Sequence, residues 1–195
     1  YRIQKFTSDG VLISQSDTRW GSGDGEFSYP EGVAVAPDGS VYVSDTGNNR
    51  IQKFTSEDVS AGVLIQRFTF VSQWGTAGSG DGEFASPDGV AVASDGSVYV
   101  TDTDNNRIQK FTSEGVFVSE WGTRGEGDGE FMNPVGITVG PDANVYVADT
   151  DNHRIQKFSV GPNTVVPTPT PEPTPTPDVA PSAVFVSQWG TQGTG

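Results

Sequence analysis

Three stretches of the chain carry a carboxylate, a hydroxyl, an amide and a guanidinium at one fixed spacing. They are Asp45, Thr46, Asn48 and Arg50; Asp102, Thr103, Asn105 and Arg107; and Asp149, Thr150, Asn152 and Arg154. A carboxylate beside a guanidinium has the parts of an active-site constellation. Its recurrence in every copy points instead to local structural work: Asp and Asn side chains satisfy turn amides, and the Arg pairs with a nearby Asp. A second recurring group is the acidic loop Gly23-Asp24-Gly25-Glu26-Phe27, repeated at 80–84 and 127–131. Carboxylates on glycine turns are candidate Ca²⁺ ligands, but two per loop fall short of the six to eight oxygens the ion takes. The loop reads better as a connection whose glycines need positive φ and whose Phe anchors it. No catalytic, cofactor-binding or metal-ligating residue is assigned, and no cofactor is expected. Cysteine is absent, the serines and threonines lie in repeat turns without a His at each site, and His153 is the only histidine.

Composition narrows the partners. The chain has 195 residues and a formal net charge of -14. Such a surface repels phosphate backbones and anionic lipid, which argues against nucleic-acid and membrane-surface partners. Of the 11 Lys and Arg residues, eight belong to the Arg-Ile-Gln-Lys-Phe copies, so they are repeat structure and not a basic patch. No run of 18 apolar residues exists that would form a membrane-spanning helix. The chain starts at Tyr1 and stops at Gly195, each partway into a repeat, and reads as a piece of something longer.

The elements that must carry these groups follow from the repeat. Arg2, Arg50, Arg107 and Arg154 are spaced by 48, 57 and 47 residues; Trp20, Trp74, Trp121 and Trp189 by 54, 47 and 68. A unit of about 47 residues with two variable loops accounts for both sets, and propeller repeats have periods of roughly 40 to 50. Each unit reads as four short strands. The first is Gly32 to Ala36, Gly89 to Ala93 and Gly136 to Gly140, followed by turns such as Pro37-Asp38-Gly39. A Val-Tyr-Val strand, the Arg-Ile-Gln-Lys-Phe strand and a strand before Trp complete it. The Trp residues at strand ends are expected to pack between units, with stacking on sugars as the alternative. No segment has a sustained helical apolar period. The expectation is an all-β chain of four-stranded antiparallel blades.

On these residues the chain resembles a known family. Phe131-x-x-Pro134-x-Gly136-Ile137, continuing through Val145-Tyr146-Val147-Ala148-Asp149 to Asn152-His153-Arg154-Ile155-Gln156-Lys157-Phe158, is similar to the NHL repeat, a β-propeller blade. The resemblance implies about three and a half NHL-type blades, open or part of a larger propeller, since NHL propellers generally close with about six. Two departures stand out. Lys53, Lys110 and Lys157 occupy a position the family usually keeps apolar, implying a wetter third strand. Asn49 and Asn106 replace the family's His, retained only as His153. Peptide-amidating lyases on this fold use several His ligands for zinc, and RNA-binding NHL domains use a basic face; this sequence matches neither.

The expected division is a partial blade at 1–20, blades at 21–74, 75–121 and 122–189, and the start of a further repeat at 190–195. Two loops are lengthened: ten residues at Glu57 to Gln66, and a Pro/Thr-rich insertion at 162–181. Alternating Pro-Thr from Pro167 to Pro177 forms no sheet and extends about 3.1 Å per residue, so roughly 34 Å. Such tracts characterise secreted or cell-wall linkers, and Thr168, Thr170, Thr174 and Thr176 are candidate O-glycan sites. The expected function is a non-enzymatic, extracellular or cell-surface prokaryotic scaffold or protein-interaction module. Its partners would be proteins, including copies of itself, assembling through open blade edges into a filament or larger propeller. The alternatives are a Ca²⁺-dependent, lactonase-like propeller hydrolase and a carbohydrate-binding module.

Overall fold

The computed structural model describes residues 1–16, 19–58, 66–160 and 184–189. The Pro/Thr insertion, its four candidate O-glycan threonines and the 190–195 tail lie outside the described residues. A two-stranded antiparallel sheet, β1 (Gln4–Phe6) and β2 (Leu12–Gln15), comes first. Three four-stranded sheets follow, each with strands in chain order. They are β3 (Pro30–Val35), β4 (Val41–Asp45), β5 (Arg50–Asp58) and β6 (Gln66–Trp74); β7 (Pro87–Val92), β8 (Val98–Asp102), β9 (Arg107–Phe111) and β10 (Phe117–Trp121); and β11 (Pro134–Val139), β12 (Asn144–Asp149), β13 (Arg154–Ser159) and β14 (Val184–Trp189). All strand pairs are antiparallel. β3 packs against β7 and β7 against β11, so the first strands gather on one side of the stack. These are propeller blades.

Each inner hairpin is built by its own turn chemistry. In the first, Asp38 Oδ1 accepts the Ser40 amide at 2.9 Å, and Gly39 takes φ +85° and donates to Ala36 O. The first strands begin at Pro30, Pro87 and Pro134, two residues before the sequence pattern indicates. The register shifts between Pro30 and Val33, so the strand tolerates both the proline and a non-alternating apolar pattern. The lengthened 57–66 connection also differs from a plain loop: β5 and β6 continue into it as a nine-residue hairpin pair.

The core lies between the sheets. Phe27, Phe84 and Phe131, one from each acidic loop, are fully buried and pack on Phe54, Phe111 and Phe158 at 5.6 Å. Trp74 reaches from the first four-stranded sheet to Phe111 of the second, and Trp121 from the second to Phe158 of the third. Burial of each such ring contributes about 1.5–3 kcal/mol, available only when a neighbouring blade supplies the other wall. Trp20 departs from the repeat pattern. It bridges to Phe27 as Ala77 bridges to Phe84 and Arg124 to Phe131, so it sits three residues later in the repeat than Trp74. It is 71% exposed and packs between no two of the described blades. The loop phenylalanines are spaced by 57 and 47 residues, matching the Arg spacings; the 54-residue Trp interval came from this non-equivalent residue.

Candidate functional site

The three Asp-Asn-Arg groups are superposable clamps. Asp45, at the end of β4, is fully buried; its Oδ1 accepts the Ser28 amide at 2.6 Å. Its Oδ2 accepts from Asn48 Nδ2 at 2.8 Å, Arg50 Nε at 2.7 Å and Gln52 Nε2 at 3.0 Å. The remaining donors point into the acidic loop. Arg50 donates to the carbonyls of Ser22, Gly23 and Glu26, Asn48 to Gly21 O, and Gln52 to Glu26 O. Gln52 Oε1 in turn accepts the Gly25 amide. A guanidinium and a carboxylate thus hold a glycine-rich turn that has no regular ladder of its own, with buried groups paired as low polarity demands.

Asp102, Asn105, Arg107 and Gln109 repeat these bonds on loop residues 78–83, and Asp149, Asn152, Arg154 and Gln156 on 125–130. The outer strand adds one acceptor in each: Gln73, Glu120 or Gln188 receives Arg Nη1. The structure thus gathers every residue of the repeated motif, but each group serves its own blade. Gln52, Gln109 and Gln156, fully buried, complete the clamp and were not singled out from sequence. The signal was there: they lie two residues after the Arg, on the same face of the strand.

The acidic loops are occupied as well. Glu26, Glu83 and Glu130 each turn their Oε2 back onto the amide of Gly23, Gly80 or Gly127 at 2.9–3.0 Å. Gly25, Gly82 and Gly129 take φ of +75° to +79°. Among the described residues no three His, Asp or Glu side chains converge on a point.

The lysines correct the expectation of a wetter third strand. Lys53, Lys110 and Lys157 lie over the rings of Tyr42, Tyr99 and Tyr146 at 5.3–5.5 Å, and all of β9 is buried. The aliphatic stem covers the tyrosine while the ammonium reaches its face. Burial lowers the Lys110 pKa below its ordinary value, and burial, with Asp95 adding to it, pushes Tyr99 up to about 12. Lys157 differs because no described blade covers it. It pairs with Asp142 at 2.9 Å, which holds that carboxyl well below the usual range.

Blades are latched by side chains at the ends of the inner hairpins. Thr46 and Thr103 hydroxyls donate to Pro87 O and Pro134 O at 2.7 Å; Ser44 donates to Asp88 O and Thr101 to Val135 O. Asn49 and Asn106, both in left-handed conformation, accept the amides of Ser86 and Asn133. His153 holds the same conformation at the end of the third blade, where Thr150 is exposed.

Antiparallel four-stranded blades latched in series define an all-β protein of the propeller class. Within it, the NHL repeat matches residues 27–54, 84–111 and 131–158, the stretches that hold the loop phenylalanine, the inner hairpin and the clamp. The chain carries three NHL repeats. The protein brain tumor of Drosophila melanogaster is 35% identical over 94 residues, 47% of this chain and 8% of that protein. The chloroplastic protein suppressor of quenching 1 of Arabidopsis thaliana is 28% identical over 107 residues, 50% of this chain and 10% of that protein. The chain therefore spans a tenth or less of these relatives. Among solved structures, virginiamycin B lyase from Staphylococcus aureus aligns over 98% of this chain and 56% of its own, with TM-score 0.57 and 21% identity. A 6-phosphogluconolactonase-like protein from Bacteroides uniformis aligns over 96% and 50%, with TM-score 0.60 and 14% identity. At these identities the likeness is one of fold, and this chain spans about half of each.

Proposed function

We propose that the chain is a non-enzymatic protein-interaction scaffold whose binding surfaces are its two open blade faces. The observation that carries this reading is the contrast between equivalent residues inside and at the ends of the stack. Val33 is 60% exposed on β3, whereas its counterpart Val90 on β7 is 6% exposed. Ile155 is 38% exposed on β13, whereas Ile51 and Ile108 are fully buried. Among the described residues each end thus presents apolar surface that, within the stack, a further blade covers. The polar residues that might have carried chemistry are consumed by the clamps, which supports a binding role over a catalytic one.

The partners on this reading are proteins that supply blade-like surface, including copies of this chain, giving a larger propeller or a filament. An extracellular or cell-surface setting in a prokaryote is part of the same proposal, supported by the acidic surface and the Pro/Thr tract. Light scattering over a hundredfold concentration range tests the assembly. Mass should rise with concentration, and Val35→Asp, on the open face of β3, should return it to the monomer value. A monomer at all concentrations that also captures no protein partner would overturn the reading.

A further inference from the structure

Trp20 is a tryptophan the fold does not use. Gln15 pairs with Gln4 as Gln73 pairs with Gln52, so the place that Trp74 holds after the outer strand falls to Ser16. Ser16 is buried there. Trp20 comes later, where the chain has crossed toward the next blade and enters the acidic loop, and its matching residues are Ala77 and Arg124. All three are exposed. Ala77 and Arg124 each stand between two four-stranded sheets, so exposure belongs to the position in the repeat. A small residue or a cation suits water at that position. An indole 71% exposed leaves most of a large amphipathic ring in water with little packing in return.

The loop beside the ring is rich in oxygen and held still. Gly21 donates to Phe27 O at 3.1 Å and the Glu26 amide to Gly23 O at 3.0 Å, so residues 21–27 double back, with Trp20 at the stem and Asp24 at the tip. Arg50 fixes the loop from below through the carbonyls of Ser22, Gly23 and Glu26. One oxygen of Glu26 accepts the Gly23 amide at 3.0 Å, and the carboxylate lies against Gly21, where any side chain would collide with it. Its other oxygen and the exposed Asp24 carboxylate accept no side-chain hydrogen bond from the described residues. Ser22 and Arg19 are exposed on either side of the Trp20–Gly21 pair. An aromatic face, carboxylate acceptors, a hydroxyl and a guanidinium thus share one short loop.

We infer that Trp20 and the acidic loop at 21–26 form a binding site for a neutral glycan. A pyranose ring carries a face of C–H bonds, which covers the indole, and a rim of hydroxyls, which donate to the carboxylates of Asp24 and Glu26. A few placed polar groups beside an apolar surface fix a ligand's orientation. Because the clamp already holds the loop, binding orders the sugar and not the protein. Charge selects against other ligands. The net charge of -14 and the loop's own carboxylates repel uronic acids, sulfated sugars and phosphates. Arg19, next to the ring, opposes a cation seated over the indole. The site uses none of the residues on which the scaffold reading rests, goes beyond that reading, and stands or falls separately from it.

Hexasaccharides of glucose, mannose, xylose and N-acetylglucosamine are the probes, with hexagalacturonate and hexalysine as anionic and cationic controls. Titrated into the full chain carrying isotope-labelled tryptophan, at least one neutral hexasaccharide should shift the Trp20 indole N–H signal saturably and leave those of Trp74 and Trp121 in place. Trp20→Ala should lower the affinity at least tenfold without moving the thermal midpoint, Trp20→Phe should lower it less, and Asp24→Ala should lower it several-fold. The second loop offers a gain of function: Ala77→Trp sets the same ring beside the matching loop at 78–83, and the calorimetric stoichiometry should rise from one site to two. No saturable shift with any neutral probe at millimolar concentration overturns the assignment. So does binding that survives Trp20→Ala, or that stays at one site in Ala77→Trp. A shift produced by hexalysine or hexagalacturonate and by no neutral probe gives the loop to a charged ligand and sinks the glycan site.

Discussion

Single residues decide how each blade closes on its loop. Asp102 takes donors from Arg107, Asn105 and Gln109 and from the Ala85 amide, and is fully buried. Removing it strips Arg107 Nε, Asn105 and Gln109 of a shared acceptor in a nearly water-free site and leaves the guanidinium only the part-exposed Glu120 carboxylate, a loss of about 3 kcal/mol or more. Asp102→Ala should therefore lower the urea midpoint sharply, whereas Asp104→Ala, on the exposed side of the same turn, should move it little. Tyr99 gives a pH signature. Its pKa is raised from 10.0 to about 12 by burial, so folding favours the neutral phenol. That contribution is complete below pH 10 and is lost as pH rises toward 12. Lys110, with its folded pKa lowered by burial, works in the opposite direction below its ordinary 10.5, where rising pH relieves the cost of burying its charge. Thermal midpoints recorded from pH 9 to 12 should fall above pH 10, and Tyr99→Phe should flatten that fall.

At the scale of elements, the third-to-fourth-strand turn of one blade is the seat for the tryptophan of the blade before. Gly115 has φ +83°, and a Cβ there would lie 2.5 Å from the Trp74 indole. Tyr42 Oη and Lys53 Nζ of the earlier blade both donate to Ser113 O of the same turn at 3.1 Å. Gly115→Ala combines left-handed strain with overpacking and should cost about 2 kcal/mol or more. Gly39→Ala, at φ +85° with open space around its Cβ, carries only the backbone share. The difference between the two, measured by denaturant midpoints, isolates the inter-blade contact. Strand order, inner-hairpin turns and the loop phenylalanine were legible in the sequence because each is a local pattern. The clamp glutamines were missed because a Gln in a strand reads as solvent-facing until the loop folds over it. The lysines were misjudged for a similar reason. Whether an ammonium on a strand meets water or a tyrosine face depends on the strand beside it.

For the whole molecule, latching in series makes stability a matter of neighbours. The middle sheet is covered on both sides, and its second and third strands are wholly buried. The first sheet is covered on its other side only in part, by Ile3 and the β1–β2 pair, and the third by no described blade; their exposed valines and isoleucine are the surfaces that the assembly experiment addresses. A stack of this kind gains stability when an end is capped.

By itself, the sequence determined the repeat, the all-β class and the four-strand order of each blade. These depend on periodicity, turn residues and propensity, all written within one 47-residue unit. Only the tertiary structure decided what the recurring Asp, Asn and Arg do and that Trp20 is not the counterpart of Trp74. Those outcomes rest on contacts between residues some 20 to 70 positions apart, where burial and hydrogen bonding are shared across loops and blades. A motif can announce such residues, but their work is fixed by what packs against them.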